Sequence, residues 1–80
     1  ESLSFSIAPK PAANQITIYV NELLADSRYE LYDITGKLLQ SGNIQAYSKQ
    51  LDISLYSDGV YFIKVISMQV EITQKLIIKR

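Results

Sequence analysis

The chain has 80 residues and balances eight Lys or Arg against eight Asp or Glu, so its formal net charge at pH 7 is zero. This balance gives little support to binding driven by the phosphates of nucleic acids. Hydrophobic residues make up 48% of the chain, which is too many for a disordered segment and favours one small globular domain.

Alternation of apolar and polar residues dominates the chain, as is typical of half-buried strands. In chain order, the predicted strands cover residues 3–7, 16–20, 29–32, 37–41, 51–55, 60–66 and 70–79. Turn-forming residues separate them at 9–11, 21–27, 35–36, 42–43, 57–59 and 67–69. About seven short strands with turns about every 8–12 residues predict an all-β fold, an antiparallel β-sandwich. The one helical candidate, residues 20–25, is too short and uncapped to be adopted.

The run from Val60 to Ile66 differs from the others because only Lys64 interrupts its apolar character. This pattern predicts a central strand that is covered on both faces. Tyr61, Ile63 and Val65 are expected to face the core, while Lys64 extends outward from the opposite face.

The stretch "LYDITGK" at residues 31–37 predicts a tight turn between two strands. Leu31 is expected in the core, together with Tyr29. Asp33 is expected to hold the turn through its own backbone, and Gly36 to supply a positive φ. Lys37 then begins the next strand at the surface.

Histidine and cysteine are both absent from the chain. Their absence excludes disulfides, thiol catalysis and His/Cys zinc sites, and it removes the commonest general base. A serine beside a buried neutral lysine, taken from Lys37, Lys49 or Lys64, would need a cleft that so small a sandwich rarely has. We therefore predict no enzymatic activity, no catalytic residue, no metal and no cofactor.

Asp26, Asp33 and Asp58 lie at predicted turns. Facing carboxylates could cleave glycosides, and several together could bind calcium. Aspartates at turns more commonly accept hydrogen bonds from their own backbone, and no Asp-x-Asp spacing is present. Turn-forming roles are therefore favoured.

Six tyrosines leave a binding alternative open. Tyr19 and Tyr32 point away from the apolar faces of their strands and could belong to an aromatic platform for a sugar. Tyrosine also suits strands that pack on one side and meet water on the other. No apolar run reaches the roughly 18–20 residues that cross a bilayer, so no transmembrane segment is predicted.

Sequence motifs in a fixed order point to a family. They are "APKPAANQITIYV" at residues 8–20, "YELYDITGKLLQSG" at 29–42, "LDISLYSDGVYFIKV" at 51–65 and "QKLIIKR" at 74–80. This order resembles the type A C-terminal sorting domain of the type IX (Por) secretion system. That family usually has Pro-Asn-Pro, a Tyr-Asp-x-x-Gly-Lys turn, Leu-x-x-Gly-x-Tyr and a final Lys-Leu-apolar-apolar-Lys. Lys10 departs from the pattern, because it stands where the family usually has Asn.

The resemblance marks a set of residues as candidates for the sorting motif. They are Pro9, Pro11, Tyr32, Asp33, Gly36, Lys37, Gly59, Tyr61, Lys75, Leu76, Ile78, Lys79 and Arg80. The cations at the end of the last strand have a second explanation, because charges on an edge strand also protect against aggregation.

The resemblance also implies a function. Residues 1–80 would be one immunoglobulin-like, non-catalytic domain cut from a larger exported protein of a Gram-negative bacterium. Its partners would be an upstream cargo domain, the outer-membrane translocon and a sortase. The cargo would pass through the periplasm and then be anchored at the cell surface or released. Exposed strand edges would also allow two copies to pair weakly. The alternatives are a carbohydrate-binding or adhesive module of a secreted enzyme and a structural spacer.

Overall fold

The computed structural model describes residues 4–21, 26–45, 47–68 and 70–80. Within these residues the chain forms β-strands and no helix, which confirms the predicted all-β class. The strands are β1 (Phe5–Ala8), β2 (Gln15–Val20), β3 (Ser27–Asp33), β4 (Leu38–Ile44), β5 (Ser48–Asp52), β6 (Gly59–Ser67) and β7 (Val70–Ile78).

The strands form two antiparallel sheets. The first has the order β1-β2-β5 and the second has the order β4-β3-β6-β7. Apolar side chains alternate along each strand because their Cβ atoms point to opposite faces, and the inner faces of the two sheets pack together. Strands β3, β6 and β7 lie side by side as the corresponding strands do in an immunoglobulin-like sandwich.

The core lies between the two sheets. Its fully buried side chains are Ile16, Ile18, Leu31, Ile44, Leu51, Ile53, Ile63, Val65, Leu76 and Ile78. Tyr61 is buried as well, so the three predicted core residues of β6 are confirmed. The opposite face of β6 is only half-buried at Val60, Phe62, Lys64 and Ile66, because no third layer formed by the described residues covers that side of the sheet. The prediction that β6 is covered on both faces is therefore wrong.

Gly42 does not form the predicted turn with Asn43. Both residues lie inside β4, which continues to Ile44, and Gly42 pairs with Tyr29 of β3. A Cβ atom on Gly42 would come within 2.9 Å of the Tyr29 ring. The glycine therefore leaves room for an aromatic side chain within the sheet.

Leu55 does not extend the alternating pattern of β5. The strand ends at Asp52, whose Oδ1 atom accepts hydrogen bonds from the backbone N–H and the hydroxyl of Ser54. The chain turns there, which leaves Leu55 94% exposed. Tyr56 packs against the core instead.

Two earlier candidates fall outside the described residues. The first is Leu3, which belongs to the first predicted strand. The second is most of the helical candidate at residues 20–25, of which Val20 ends β2. Among the described residues, no helix has the length and hydropathy to cross a membrane. In the same part of the chain, acidic side chains nowhere gather in a group able to hold a metal ion.

Candidate functional site

The sequence motifs meet at one end of the four-stranded sheet. Asp33 at the end of β3 pairs with Tyr61 near the start of β6. Gly59 at the start of β6 pairs with Ile78 at the end of β7. Ile78 also forms a parallel bridge with Ala12, which directly follows the second proline of the first motif. We call this part of the sandwich the motif end.

Asp33 organises the turn between β3 and β4. Its Oδ1 atom accepts hydrogen bonds from the Thr35 hydroxyl at 2.6 Å, the Thr35 N–H at 2.9 Å and the Lys37 N–H at 3.0 Å. These bonds favour the charged carboxylate, so the Thr35 hydroxyl and then the Lys37 N–H hold the pKa of Asp33 below its ordinary value. Gly36 has a φ of 90°, which an L side chain rarely adopts. The predicted turn is confirmed.

Tyr61 fastens the loop that precedes β6. Its ring lies in the core, and its hydroxyl donates a hydrogen bond to the Ser57 carbonyl oxygen at 2.6 Å. The Tyr56 ring packs beside it, with the ring centroids 5.9 Å apart. A tyrosine at this corner, bonded to backbone a few residues upstream, is the tyrosine corner of immunoglobulin-like sandwiches.

Arg80 joins the β5–β6 loop to the end of β7. Its guanidinium donates to the carbonyl oxygens of Tyr56 at 2.6 Å and Ile53 at 2.7 Å. It also lies 3.3 Å from an Asp58 carboxylate oxygen and donates to the Asn14 side-chain oxygen at 3.2 Å. We call these contacts the Arg80 clamp. Arg80 lies outside the apolar face of β7, as predicted, but its charge has partners within the domain.

A second cationic feature lies on the outer side of β7. Lys10, Lys75 and Lys79 surround a groove of about 560 Å³ that Pro11 and Ile77 also line. The three lysines are exposed, and within the described ranges no carboxylate lies close enough to form a salt bridge with them. We call this feature the lysine groove.

Tyr32 lies on the outer face of the four-stranded sheet. Its hydroxyl donates to the Glu30 carboxylate, and the Lys64 ammonium lies 5.4 Å from the centre of its ring. The hydrogen bond to Glu30 and then burial raise the pKa of Tyr32 above its ordinary value. Tyr19 lies on the outer face of the other sheet. The two outward tyrosines are therefore on opposite sides of the sandwich and do not form one sugar platform.

The remaining candidates of the sorting motif divide between core and surface. Leu76 and Ile78 belong to the core between the sheets. Gly59 opens β6 with a φ of 156°. The exposed candidates are Pro9, Pro11 and Lys37.

The comparison with known protein families matches residues 6–79 to the family described as the secretion system C-terminal sorting domain. The chain belongs to this family. The sorting domains concerned are those of the type IX (Por) secretion system. A comparison with curated proteins finds no match.

The motif residues of this sorting domain fall into two groups. The side chains of Asp33, Tyr61 and Arg80 make hydrogen bonds within the domain. Those of Lys75 and Lys79 face solvent. The first group stabilises the motif end, and the second leaves positive charge available to another molecule.

Sequence reasoning assigns no site role to Lys10, Asn14 or Asp58, although all three contribute to these features. The sequence does give one indication of a role for Lys10, because this residue replaces the usual Asn of the proline motif. Asp58 precedes the motif residue Gly59. Asn14 carries no local signal, since its contact with Arg80 joins positions 66 residues apart.

Proposed function

We propose that this sorting domain is a non-catalytic address that directs a cargo protein, upstream in the same chain, across the outer membrane through the type IX system. The family match over residues 6–79 carries the proposal. The arrangement of the motif end supports it. A receptor needs a surface held in one shape, and the turn at Asp33, the Tyr61 corner and the Arg80 clamp fix the shape of this surface.

The events around the translocon complete the proposal. The cargo enters the periplasm by an N-terminal signal, and the folded sorting domain then docks with the translocon. A sortase removes the domain, and the cargo is anchored to lipopolysaccharide at the cell surface or released. Residues 1–80 act as one unit in these steps, cut from a larger exported protein.

An export assay tests the address directly. Residues 1–80 are fused behind a fluorescent protein that carries a periplasmic signal, and the fusion is expressed in a host with a working type IX system. We expect fluorescence at the cell surface or in the medium. The same fusion in a host without the translocon, and the reporter without residues 1–80, are the controls. Retention of the full fusion in the periplasm of the competent host would overturn the proposal.

Mass spectrometry of the exported reporter tests the later steps. Removal by a sortase predicts a reporter that lacks residues 1–80. Anchoring predicts additional mass from the lipopolysaccharide, whereas release predicts an unmodified new terminus. An exported reporter that keeps the intact domain would contradict cleavage while leaving the address function in place.

Tyr19 and Tyr32 give the carbohydrate-binding alternative no support, because they lie on opposite faces of the sandwich. Calorimetry of the purified domain with oligosaccharides tests it. We expect no heat of binding.

A further inference from the structure

The outer edge of β7 already accepts one backbone partner. β7 is the last strand of its sheet, and Ala12 forms a single parallel bridge beside it. The Ala12 N–H donates to the Ile77 carbonyl oxygen at 2.9 Å, and the Ala12 carbonyl oxygen accepts from the Lys79 N–H at 2.8 Å. Residues 77 and 79 therefore direct backbone groups away from β6.

The same edge continues beyond this bridge. β7 pairs with β6 in unbroken register, and backbone groups alternate in direction along a strand. The N–H and C=O groups of Glu71, Thr73 and Lys75 therefore point to the outer edge, as those of residue 77 do. In the described part of the chain, Ala12 alone makes backbone hydrogen bonds to this edge.

Charge surrounds one end of the open edge. Lys75 belongs both to the edge and to the lysine groove, where Lys10 and Lys79 are its neighbours. The nearest charges on the groove lining are thus all positive. Glu71, at the other end of the edge, is paired with Lys64 at 3.7 Å.

We propose that an extended acidic segment of the secretion machinery adds as a strand to residues 71–75 of β7 and places its carboxylates in the lysine groove, a partner assignment that rests on the proposed function. The added strand lies in line with Ala12 and ends against the groove. Strand addition supplies affinity through main-chain hydrogen bonds, and the groove supplies specificity through charge and through its apolar residues Pro11 and Ile77.

A polypeptide fits this edge better than an anionic lipid headgroup does. The edge presents N–H donors and C=O acceptors in alternation, and only a second backbone provides matching groups of both kinds. A phosphate could accept hydrogen bonds from lysines but would leave the carbonyl oxygens unmatched.

Amide hydrogen exchange of the purified domain provides the test. The probe is a capped seven-residue peptide in which glutamate alternates with valine, and its neutral counterpart carries glutamine. We expect the acidic peptide to slow exchange at the amides of Glu71, Thr73 and Lys75. The amides of Ile72 and Gln74 already pair with β6 and should change little.

Variants separate the charge from the strand edge. Lys10, Lys75 and Lys79 are all exposed, so changing them together to glutamine should leave the fold intact and weaken binding of the acidic peptide at least about tenfold. Lys49→Gln on β5, in the other sheet, is the matched control and should bind as the wild type does.

Thr73→Pro tests the strand edge, because it removes one outward N–H while leaving the hydrogen bonds between β6 and β7 in place. This variant should lose the binding of the acidic peptide, whereas Thr73→Val should keep it.

Each other outcome counts against the inference. If the glutamine peptide bound as tightly as the acidic peptide, charge would not contribute to recognition. Strand addition would be excluded if the acidic peptide perturbed only the lysine side chains. It would also be excluded if inorganic phosphate or anionic phosphatidylglycerol vesicles slowed exchange at the same amides. Protection of the same amides that rises with protein concentration alone would make a second copy of this chain the occupant. Binding is measured without export, so failure of the wild-type fusion to be exported would overturn the proposed function while leaving a positive binding result intact.

Discussion

The Arg80 clamp and the lysine groove are neighbouring cationic regions with opposite surroundings. Arg80 donates to two backbone carbonyls and lies beside the Asp58 carboxylate. Lys75 and Lys79 come from the same stretch of sequence and face solvent. One short motif therefore combines a cation that stabilises the fold with cations that the described fold does not use. The difference indicates which motif residues a partner can reach.

Ile78→Ala should have the largest effect on folding. Ile78 is 1% exposed, pairs with Gly59 and bridges to Ala12, so its truncation opens a cavity at the motif end. We expect a loss of about 3 kcal/mol in the free energy of unfolding, measured by urea denaturation. The neighbouring Ile77→Ala is the control, since Ile77 is 46% exposed. Similar losses for the two variants would contradict the assigned orientation of β7.

Arg80→Ala tests the clamp. The variant removes the donors of the Tyr56 and Ile53 carbonyl oxygens and the guanidinium beside Asp58, although the backbone N–H of residue 80 still donates to that carboxylate. We expect this loss to lower the free energy of unfolding by about 2 kcal/mol. Lys79→Ala keeps the backbone bond to Ala12 and should stay within about 0.5 kcal/mol of wild type. If Lys79→Ala cost as much as Arg80→Ala, the contrast between clamp and groove would fail.

Tyr61→Phe tests the tyrosine corner by removing a single oxygen atom. The ring still fills the core, but the hydrogen bond to the Ser57 carbonyl oxygen is lost. We expect a loss of about 1 kcal/mol in the free energy of unfolding. Tyr19→Phe removes an exposed hydroxyl from the other sheet and should change little. A neutral result for Tyr61→Phe would show that the hydroxyl does not stabilise the corner.

Asp33→Asn should have the smallest effect, and one that depends on pH. Hydrogen bonds hold the pKa of Asp33 below its ordinary value in the folded state. Its contribution to stability is therefore fully present above the unfolded pKa of about 4 and is lost as pH falls through the lower folded pKa. Unfolding in urea at about pH 7 and about pH 2.5 should show a larger stability advantage of wild type over the variant at the higher pH. A difference that is the same at both pH values would contradict this role of the carboxylate.

Local patterns explain why much of the fold could be predicted from sequence. Alternation places Ile63 and Val65 in the core because side chains alternate along a strand. The turn at Asp33 was predictable since an aspartate and a glycine three residues apart encode it locally. Both features depend on neighbours in the chain.

The errors arose where distant residues decide the local structure. The sequence predicts a turn at Gly42, but a glycine is needed there because the ring of Tyr29 on the adjacent strand occupies the space of a Cβ atom. Likewise, nothing near Arg80 in the sequence indicates that Ile53 and Asn14 accept its hydrogen bonds. The family order of the motifs identified the domain, whereas only the fold separated the stabilising cation from the exposed ones.

Export of the reporter fusion with Lys10, Lys75 and Lys79 changed to glutamine tests the central contrast most directly. The melting temperature of the purified variant is measured beside its export, so that folding and recognition are separated. We predict a melting temperature within about 2 °C of wild type, because exposed charges contribute little to stability, together with loss of export. Wild-type export by the folded triple variant would contradict the claim that the lysine groove is the surface that the secretion machinery reads.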